Sequence, residues 1–206
     1  MAADEAPGYH HGNLREALLE RGLVLLEQGP ETDFSLRELA RRVGVSANAT
    51  HRHFANKEAL TRAMAGEGIR RLTHDQQHSW ANTDGDVAKK FLATGCAYVR
   101  FARTHPALFR LMFGRFVMEH RDEDLQRASD QAFDSLKQGV AAALGLAVED
   151  DATRLAAFNA WAVVHGFSNL ILDGQIRGDD QELEQVVEQA LGLWLASVRD
   201  KGDTEG

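Results

Sequence analysis

The side chains best suited to contact nucleic acid lie in a short polar segment, residues 47–53, with the sequence ANATHRH. The segment offers an amide, imidazoles and a guanidinium, which can hydrogen-bond to base edges and phosphates. No acidic residue occurs between positions 44 and 55, although the whole chain carries a net charge of −8. We therefore predict a DNA-contacting surface at this segment, formed by Ala47, Asn48, His51, Arg52 and His53.

A helix and a glycine turn precede this surface and are predicted to position it. Ser35 and Glu38 match the S-x-x-E capping box of a helix start. Apolar residues then recur at three- and four-residue spacing as far as Val43, which gives the helix one inward face. Gly44 follows at the position where a helix C-cap needs positive φ. Ser35 and Arg37, at the start of this helix, are also expected to contact the DNA backbone.

The polar segment itself is predicted to form a second, short helix. Ser46 is a suitable N-cap for it, and Thr50 and Phe54 are four residues apart, so that both can face inward. Asn56 then caps a further helix that begins with Lys57, whose ammonium lies near free backbone N–H groups and can meet a phosphate. The alternative interpretation is a packing hairpin with a solvated polar face, because helix pairs of this kind are common.

The first third of the chain resembles the DNA-binding domain of tetracycline-repressor (TetR) family regulators. The segments that carry the resemblance are YHHGNLREALLERGLVLLEQG, SLRELARRVGVS and HRHFANKEAL, in that order. Farther on, HPALFRLMFG and WAVVHGFSNLILDG are similar to the C-terminal domain of a TetR subgroup with a Trp…His-Gly motif, here Trp161, His165 and Gly166. The resemblance implies a dimeric, ligand-responsive regulator, most often a repressor, which a small molecule releases from DNA.

The chain departs from the family pattern at three positions of the polar segment. The family usually has a small residue such as glycine at the position of Asn48, and an aliphatic residue at that of Thr50. It usually has a tyrosine, which contacts a DNA phosphate, at the position of His51. The resemblance therefore implies a phosphate contact at His51, made by an imidazole instead of a phenol.

Charge is distributed unevenly along the chain. Residues 9–72 carry ten Lys/Arg and eight Asp/Glu, a balance of +2, whereas residues 73–206 carry thirteen and twenty-one, a balance of −8. The positive part therefore coincides with the predicted DNA-binding region. We expect a cytoplasmic protein, because there is no signal peptide, no apolar run of about 18 residues and only one cysteine, Cys96.

The periodicity predicts an all-α protein of about nine helices. A helix-turn-helix domain is predicted at residues 9–56, and a ligand-binding and dimerisation domain at residues 57–200, which begins with a linking helix. Residues 1–8 and 201–206 are polar and small, and we expect them to be flexible tails.

Many aromatic and sulfur-containing side chains in the second domain predict a pocket for a small, largely apolar effector. Each of them individually is more simply explained as ordinary core. The candidate pocket residues are Tyr98, Phe101, Phe109, Met112, Phe113, Phe158, Trp161 and His165.

The last two long helices carry apolar residues on more than one face, which predicts a four-helix dimer interface. The candidate interface residues are Phe167, Val187, Leu191 and Trp194. A dimer also fits an inverted-repeat operator on double-stranded DNA, because two recognition helices related by a two-fold axis read such a site.

An enzyme or a protein-interaction bundle is the alternative function. His74 and His78 have the i, i+4 spacing of a metal pair, but the sequence indicates no third ligand and no glutamate follows His74. Phosphate-binding loops, nucleophile elbows and CxxC motifs do not occur in the sequence. We therefore expect no metal, no cofactor and no catalytic site.

Overall fold

The protein is described here by a computed structural model that covers residues 14–29 and 35–202. These residues are helical, without strands, as the sequence predicts. Their helices are α1 (Leu14–Glu27), α2 (Leu36–Val43), α3 (Ala47–His51), α4 (Lys57–Asn82), α5 (Val87–Thr104), α6 (Pro106–Met112), α7 (Arg115–Glu119), α8 (Glu123–Leu144), α9 (Asp151–Leu172) and α10 (Asp180–Gly202). The nine predicted helices are all present, and the five-residue α7 is an addition.

Local sequence signals set the starts of the long helices. The Asn56 side chain accepts a hydrogen bond from the Ala59 N–H at 2.8 Å and so caps α4. Asp86 and Asp122 do the same for α5 and α8, at 2.8 Å and 3.0 Å. Each of these residues satisfies one of the N–H groups that a helix start leaves without a partner.

The 26-residue helix α4 connects the two parts of the protein. Its first half packs against α1, and its later turns pack against α5, α6 and α8. Arg71 of α4 is bonded to Glu67 on its own helix and to Glu20 of α1. The helix begins at the predicted boundary between residues 56 and 57, and it contacts α1 as well as the helices of the C-terminal part.

In the C-terminal part, α5 lies between α4 on one side and α9 and α10 on the other. Gly95 of α5 faces Leu191 of α10 so closely that a Cβ at residue 95 would lie 2.1 Å from a Leu191 methyl carbon. Leu191 is only 1% exposed. Close packing at this crossing therefore depends on the missing side chain of Gly95.

Parts of the predicted tails lie outside the described residues. These are residues 1–8, together with the predicted domain start at 9–13, and residues 203–206 at the C-terminus. Residues 201 and 202 continue the backbone of α10.

Helix α9 is the one described helix that is, by length and composition, apolar enough to cross a membrane. Within the protein, one side of α9 packs against α5, α8 and α10, with Ala157 and Ala160 in the core. Its other side includes Leu155, which is 64% exposed. The apolar composition of α9 thus comes from two separate faces. One face is packed against other helices of the same chain, and the other is exposed.

Candidate nucleic-acid interface and internal pocket

The first helix of the candidate nucleic-acid interface, α2, begins as predicted. The Ser35 side chain accepts a hydrogen bond from the Glu38 N–H at 3.2 Å. The Glu38 carboxylate turns to Arg41 and Arg42, whose guanidinium nitrogens lie 2.7–2.9 Å from it. The hydrogen bond from Arg41, followed by that from Arg42, lowers the pKa of Glu38 to about 2. Glu38 therefore stays ionised and fixes two arginines at the C-terminal end of α2.

The turn between α2 and α3 has the predicted geometry. Gly44 adopts φ 80°, and its N–H reaches the carbonyl groups of Ala40 and Arg41. The Val45 N–H also donates to Ala40 O, at 2.9 Å. Ser46 then caps α3 by accepting from the Ala49 N–H at 3.2 Å. The positive φ is easily reached only by glycine, so this residue sets the direction in which α3 leaves α2.

Helix α3 presents its polar side chains to the outside. Thr50 is 0% exposed and Phe54 is 2% exposed, so both anchor the segment to the core of the N-terminal part. The exposed side chains on and after α3 are Asn48, His51, Arg52 and His53, and Ala47 is half-buried. Ser35, Arg37 and Lys57 are exposed on the flanking segments. The structure therefore places every predicted DNA-contacting residue except Ala47 at an exposed position.

His51 is held by a contact with the backbone. Its Nδ1 lies 3.2 Å from the carbonyl oxygen of Ala55, and because a carbonyl only accepts, Nδ1 carries the proton in this contact. The other ring nitrogen, Nε2, is then left as the polar atom of the exposed ring. Nε2 can donate to a phosphate oxygen only when it also carries a proton, so a phosphate contact at His51 requires the doubly protonated, cationic ring.

Two polar contacts connect the N-terminal part to the helices of the C-terminal part. The Glu27 carboxylate, at the end of α1, accepts from the Leu108 N–H at 3.0 Å and the Ala107 N–H at 3.4 Å, at the start of α6. Arg62 of α4 donates to Asp122 at 3.1 Å, and Asp122 is the N-cap of α8. A movement of α6 or α8 can therefore be transmitted to α1 and to α4, which begins with the predicted contact residue Lys57.

A cavity of about 360 Å³ lies between α4, α5, α6, α8 and α9. Its volume is in the range of small-molecule sites, and most of its wall is apolar. Of the predicted pocket residues, the ones that line it are Tyr98, Met112, Phe113, Phe158 and Trp161. Ile69, Leu72 and Gln76 of α4 and Leu136 of α8 also line it and were not predicted. The three- and four-residue spacing along α4 was the signal that could have indicated the first group.

Three predicted pocket residues are placed elsewhere. Phe101 and Phe109 are 3% and 1% exposed and belong to the core beside the cavity, since neither lines it. His165 lies behind the cavity wall and contacts the rings of Phe109 and Phe113, with centroid separations of 5.4 Å and 4.6 Å. Periodicity alone did not distinguish a wall residue from the residue that supports it.

Tyr98 connects the cavity wall to His165. The Trp161 Nε1–H donates to the Tyr98 hydroxyl at 3.1 Å, and this hydroxyl lies 2.9 Å from His165 Nδ1. Burial lowers the pKa of His165 and raises that of Tyr98, so the imidazole and the phenol are both neutral. The hydroxyl thus accepts from Trp161 and donates to His165, and its hydrogen-bonding capacity is used within the protein.

Two of the predicted interface residues are buried within a single chain. Val187 and Leu191 are each 1% exposed, packed on the inward face of α10, so they cannot form the surface of an interface. Phe167 and Trp194 are half-buried. The large apolar side chains that the same helices do expose are Leu155, Phe158, Leu170, Val186 and Leu193. That α9 and α10 form an interface stays a prediction. The candidate residues for it are now the exposed ones on the outer faces of these helices.

The cysteine and the histidine pair that could be reactive or bind metal are not in a reactive or metal-binding environment. Cys96 is 7% exposed, and burial, together with the nearby Glu188 and Glu184, raises the pKa of its thiol to about 11. His74 and His78 are exposed one turn apart on α4. In the part of the chain that the structure describes, no group of three or more His, Cys, Asp and Glu side chains could hold a metal ion.

Comparisons with known proteins agree with this architecture. Residues 18–64 match the model of bacterial regulatory proteins of the tetR family, and residues 91–193, half of the chain, match the tetracyclin repressor-like C-terminal domain. The chain belongs to the TetR family of transcriptional regulators. It is therefore a DNA-binding regulator and not an enzyme.

The TetR family assignment agrees with individual relatives. The chain is 35% identical over 86 residues to the class C tetracycline repressor of Escherichia coli, which covers 42% of this chain and 38% of that protein. It is 30% identical over 122 residues to the nucleoid occlusion factor SlmA of Idiomarina loihiensis, over 57% and 60% of the two chains. The chain thus matches less than two thirds of either of these curated relatives.

A solved structure from Rhodococcus sp. RHA1, of a protein of unknown function, is similar over almost the whole length. It is 31% identical to this chain, with a TM-score of 0.77, and the match covers 93% of this chain and 98% of the other. The arrangement of the DNA-binding and C-terminal helices is therefore shared along the chain and is not limited to the N-terminal motif.

Proposed function

We propose that this TetR-family regulator is a repressor that acts in the cytoplasm as a homodimer on an inverted-repeat operator. A small, largely apolar effector binds in the C-terminal domain and releases the regulator from DNA. The pattern of Trp161, His165 and Gly166 supports its place in the Trp…His-Gly subgroup. Family membership supplies the DNA-binding function, and the following observations support the finer statements.

The observation that carries the proposal is the outward face of α3. Thr50 and Phe54 fix the helix to the core while Asn48, Arg52 and His53 are exposed. We assign base and phosphate contacts to Asn48 and Arg52, with phosphate contacts at His51 and Lys57. Ser35 and Arg37, with Ala47 close to the DNA surface, complete the docking face.

The dimer is supported by the outer faces of α9 and α10. Leu193 is 75% exposed and Leu155 64% exposed, which is unusual for leucines of a domain that works alone. A Cβ at Gly166 or Gly192 would meet no atom within 4 Å of its own chain, so both positions face open space. Small residues beside exposed leucines allow the helices of a second copy to approach closely.

Effector control is supported by what surrounds the cavity. Its wall includes Met112 of α6 and Leu125 of α8, the two helices whose starts contact Glu27 and Arg62 of the N-terminal part. A ligand that binds one arrangement of these helices better than another shifts the orientation of the DNA-binding parts. The two polar contacts are thus the route by which occupancy of the cavity reaches α3.

The proposal is tested by selecting binding sites for the full-length protein from a pool of random DNA duplexes. We expect an inverted repeat to be enriched, bound with an affinity that falls as salt rises, because phosphate contacts release counterions. Enrichment of no common sequence, or binding that does not depend on salt, would contradict the proposed operator function.

A further inference from the structure

A second cavity lies beside the first and differs from it in chemistry. We call the first, described above, the aromatic chamber. The second, of about 290 Å³, is lined by Gln76, Gln77, Trp80, Phe91, Thr94, Ala132, Ser135, Leu136, Gln138 and Gly139, and we call it the amide chamber. Gln76, Ala132 and Leu136 line both chambers. The two spaces are thus neighbours across a partition of three side chains.

The aromatic chamber has few free polar atoms in its interior. The Trp161 Nε1–H and the Tyr98 hydroxyl are bonded to each other, and Tyr98 also reaches His165. The Ser129 hydroxyl donates to the carbonyl oxygen of Leu125 at 2.9 Å. A ligand group in this chamber finds rings and methyl groups but few unpaired donors or acceptors, which favours an apolar body.

The amide chamber has the opposite character. The Gln76 Nε2 makes only a long contact, 3.4 Å, with the Thr94 carbonyl oxygen. Within the described residues, no protein group bonds to the Gln76 Oε1, the Ser135 hydroxyl, the Trp80 Nε1 or the Gln138 amide. None of the residues that line this chamber is Asp, Glu, Lys or Arg. It therefore offers donors and acceptors without charge.

We propose that the effector is an uncharged amphiphile that spans both chambers. Its hydrocarbon or aromatic body lies in the aromatic chamber, and a neutral polar end, such as an amide, ester or ketone carbonyl, lies in the amide chamber. Gln76 at the partition donates to that carbonyl or accepts from an attached N–H or O–H. Gln77 and Gln138 are exposed, so this chamber opens to solvent, but it offers a charged end no counter-charge. This inference rests on the proposed effector function and adds the chemical class of the ligand.

Two charged residues at the aromatic chamber do not select a charged ligand. Arg121 and Asp130 both line it, and the Gln126 amide lies between them. Gln126 donates to Asp130 at 2.8 Å and accepts from Arg121 at 3.5 Å. The two opposite charges are therefore joined through one amide and largely offset each other's attraction for an ion.

The experiment compares three probes that share an octyl-length chain: octanamide, octanoate and octyltrimethylammonium. Calorimetry and thermal melting of the full-length protein, without DNA, give the affinity for each. We expect octanamide to bind about tenfold or more tightly than either ion, because the uncharged amides of the chamber satisfy its polar end and neither ion finds a counter-charge there. The Gln76→Leu variant should lose this preference, and Gln131→Leu, at an exposed position of α8 that lines neither chamber, should keep it.

Several outcomes overturn the inference. Tighter binding of octanoate or of the ammonium, an unchanged preference in Gln76→Leu, or no binding of any probe would each contradict the assigned ligand class. Failure of the proposed function looks different. If octanamide binds with the expected preference but operator affinity does not change, the ligand class stands and release from DNA by the effector is wrong.

Discussion

The helix-turn-helix part and the C-terminal part build their sites in different ways. In the first, the contacts that start the helices are local: Ser35 bonds to a residue three positions away, and Ser46 does the same. In the second, the Tyr98 hydroxyl bonds to side chains 63 and 67 positions away, on another helix. The docking face is thus fixed by short sequence signals, whereas the cavity exists only once distant helices have packed.

The two parts also differ in what they expose. The N-terminal part turns polar side chains outward at α3, as suits a surface that meets a polyanion. The C-terminal part leaves Leu155 and Leu193 exposed. The first surface is complete in a single chain, whereas in the proposed dimer a second copy removes the apolar area of the other surface from water.

The largest effect is expected from a charge on the outer face of α10. Leu193→Glu should give folded monomers, with operator affinity lower by about a hundredfold or more, because one recognition helix makes too few contacts. Sedimentation and circular dichroism measure the two properties. The inward Leu191→Glu should instead unfold the chain, while the control Gln185→Glu should remain a DNA-binding dimer. A dimeric Leu193→Glu would show that the interface lies elsewhere.

The faces of α9 and α10 show where sequence reasoning reached its limit. Apolar residues occupy more than one face of each helix, so periodicity could not tell which face a single chain covers. Leu191 packs against Gly95, almost a hundred residues earlier, and nothing in the local sequence of α10 indicates that contact. The helices were predicted correctly, but two of the four residues chosen for the interface, Val187 and Leu191, face inward.

The short helix α7 was missed for a related reason. Gly114 precedes it without a side-chain cap, and α7 is too short to show an apolar period. By contrast, the starts of α2, α3 and α4 were predicted because Ser35, Ser46 and Asn56 cap them with their own side chains. The docking face could therefore be predicted from the sequence, whereas the cavity wall could be predicted only in part.

A second prediction concerns the docking face. Arg52→Ala should cost about 1–3 kcal/mol of operator binding because a base or phosphate contact is lost. Fluorescence anisotropy at several salt concentrations measures this change. Arg127→Ala, at an exposed arginine of α8 that pairs with Glu123 and Asp124, is the control and should bind normally. Equal operator affinities of the two variants would show that Arg52 does not contact DNA.

A third prediction separates the cavity from the docking face. Trp161→Ala should abolish most of the rise in melting temperature that a bound effector or octanamide produces, because it removes an aromatic wall. Operator affinity without ligand should stay within about threefold. Phe116→Ala, which removes an exposed aromatic ring of α7 that lines neither chamber, should retain ligand binding. Equal losses of ligand and operator binding in Trp161→Ala would indicate a general core role.

The smallest effects come from two buried threonines, one in each part. The Thr50 hydroxyl is buried without a hydrogen-bond partner, whereas the Thr153 hydroxyl donates to the Ala147 carbonyl oxygen at 2.7 Å. Thr50→Val should therefore raise the free energy of unfolding by about 1 kcal/mol, and Thr153→Val should lower it by about as much. Denaturant unfolding measures both, and a change of the same sign in the two variants would contradict this difference.

The central claim is that two copies of the docking face, joined by the C-terminal helices, recognise one symmetric site. The most direct measurement is the stoichiometry and affinity of the full-length protein on its selected duplex and on the same duplex with one half-site scrambled. We predict two chains per intact duplex and a loss of about a hundredfold or more in affinity on the half-site duplex. One chain per duplex, or equal affinity for both duplexes, would contradict the account.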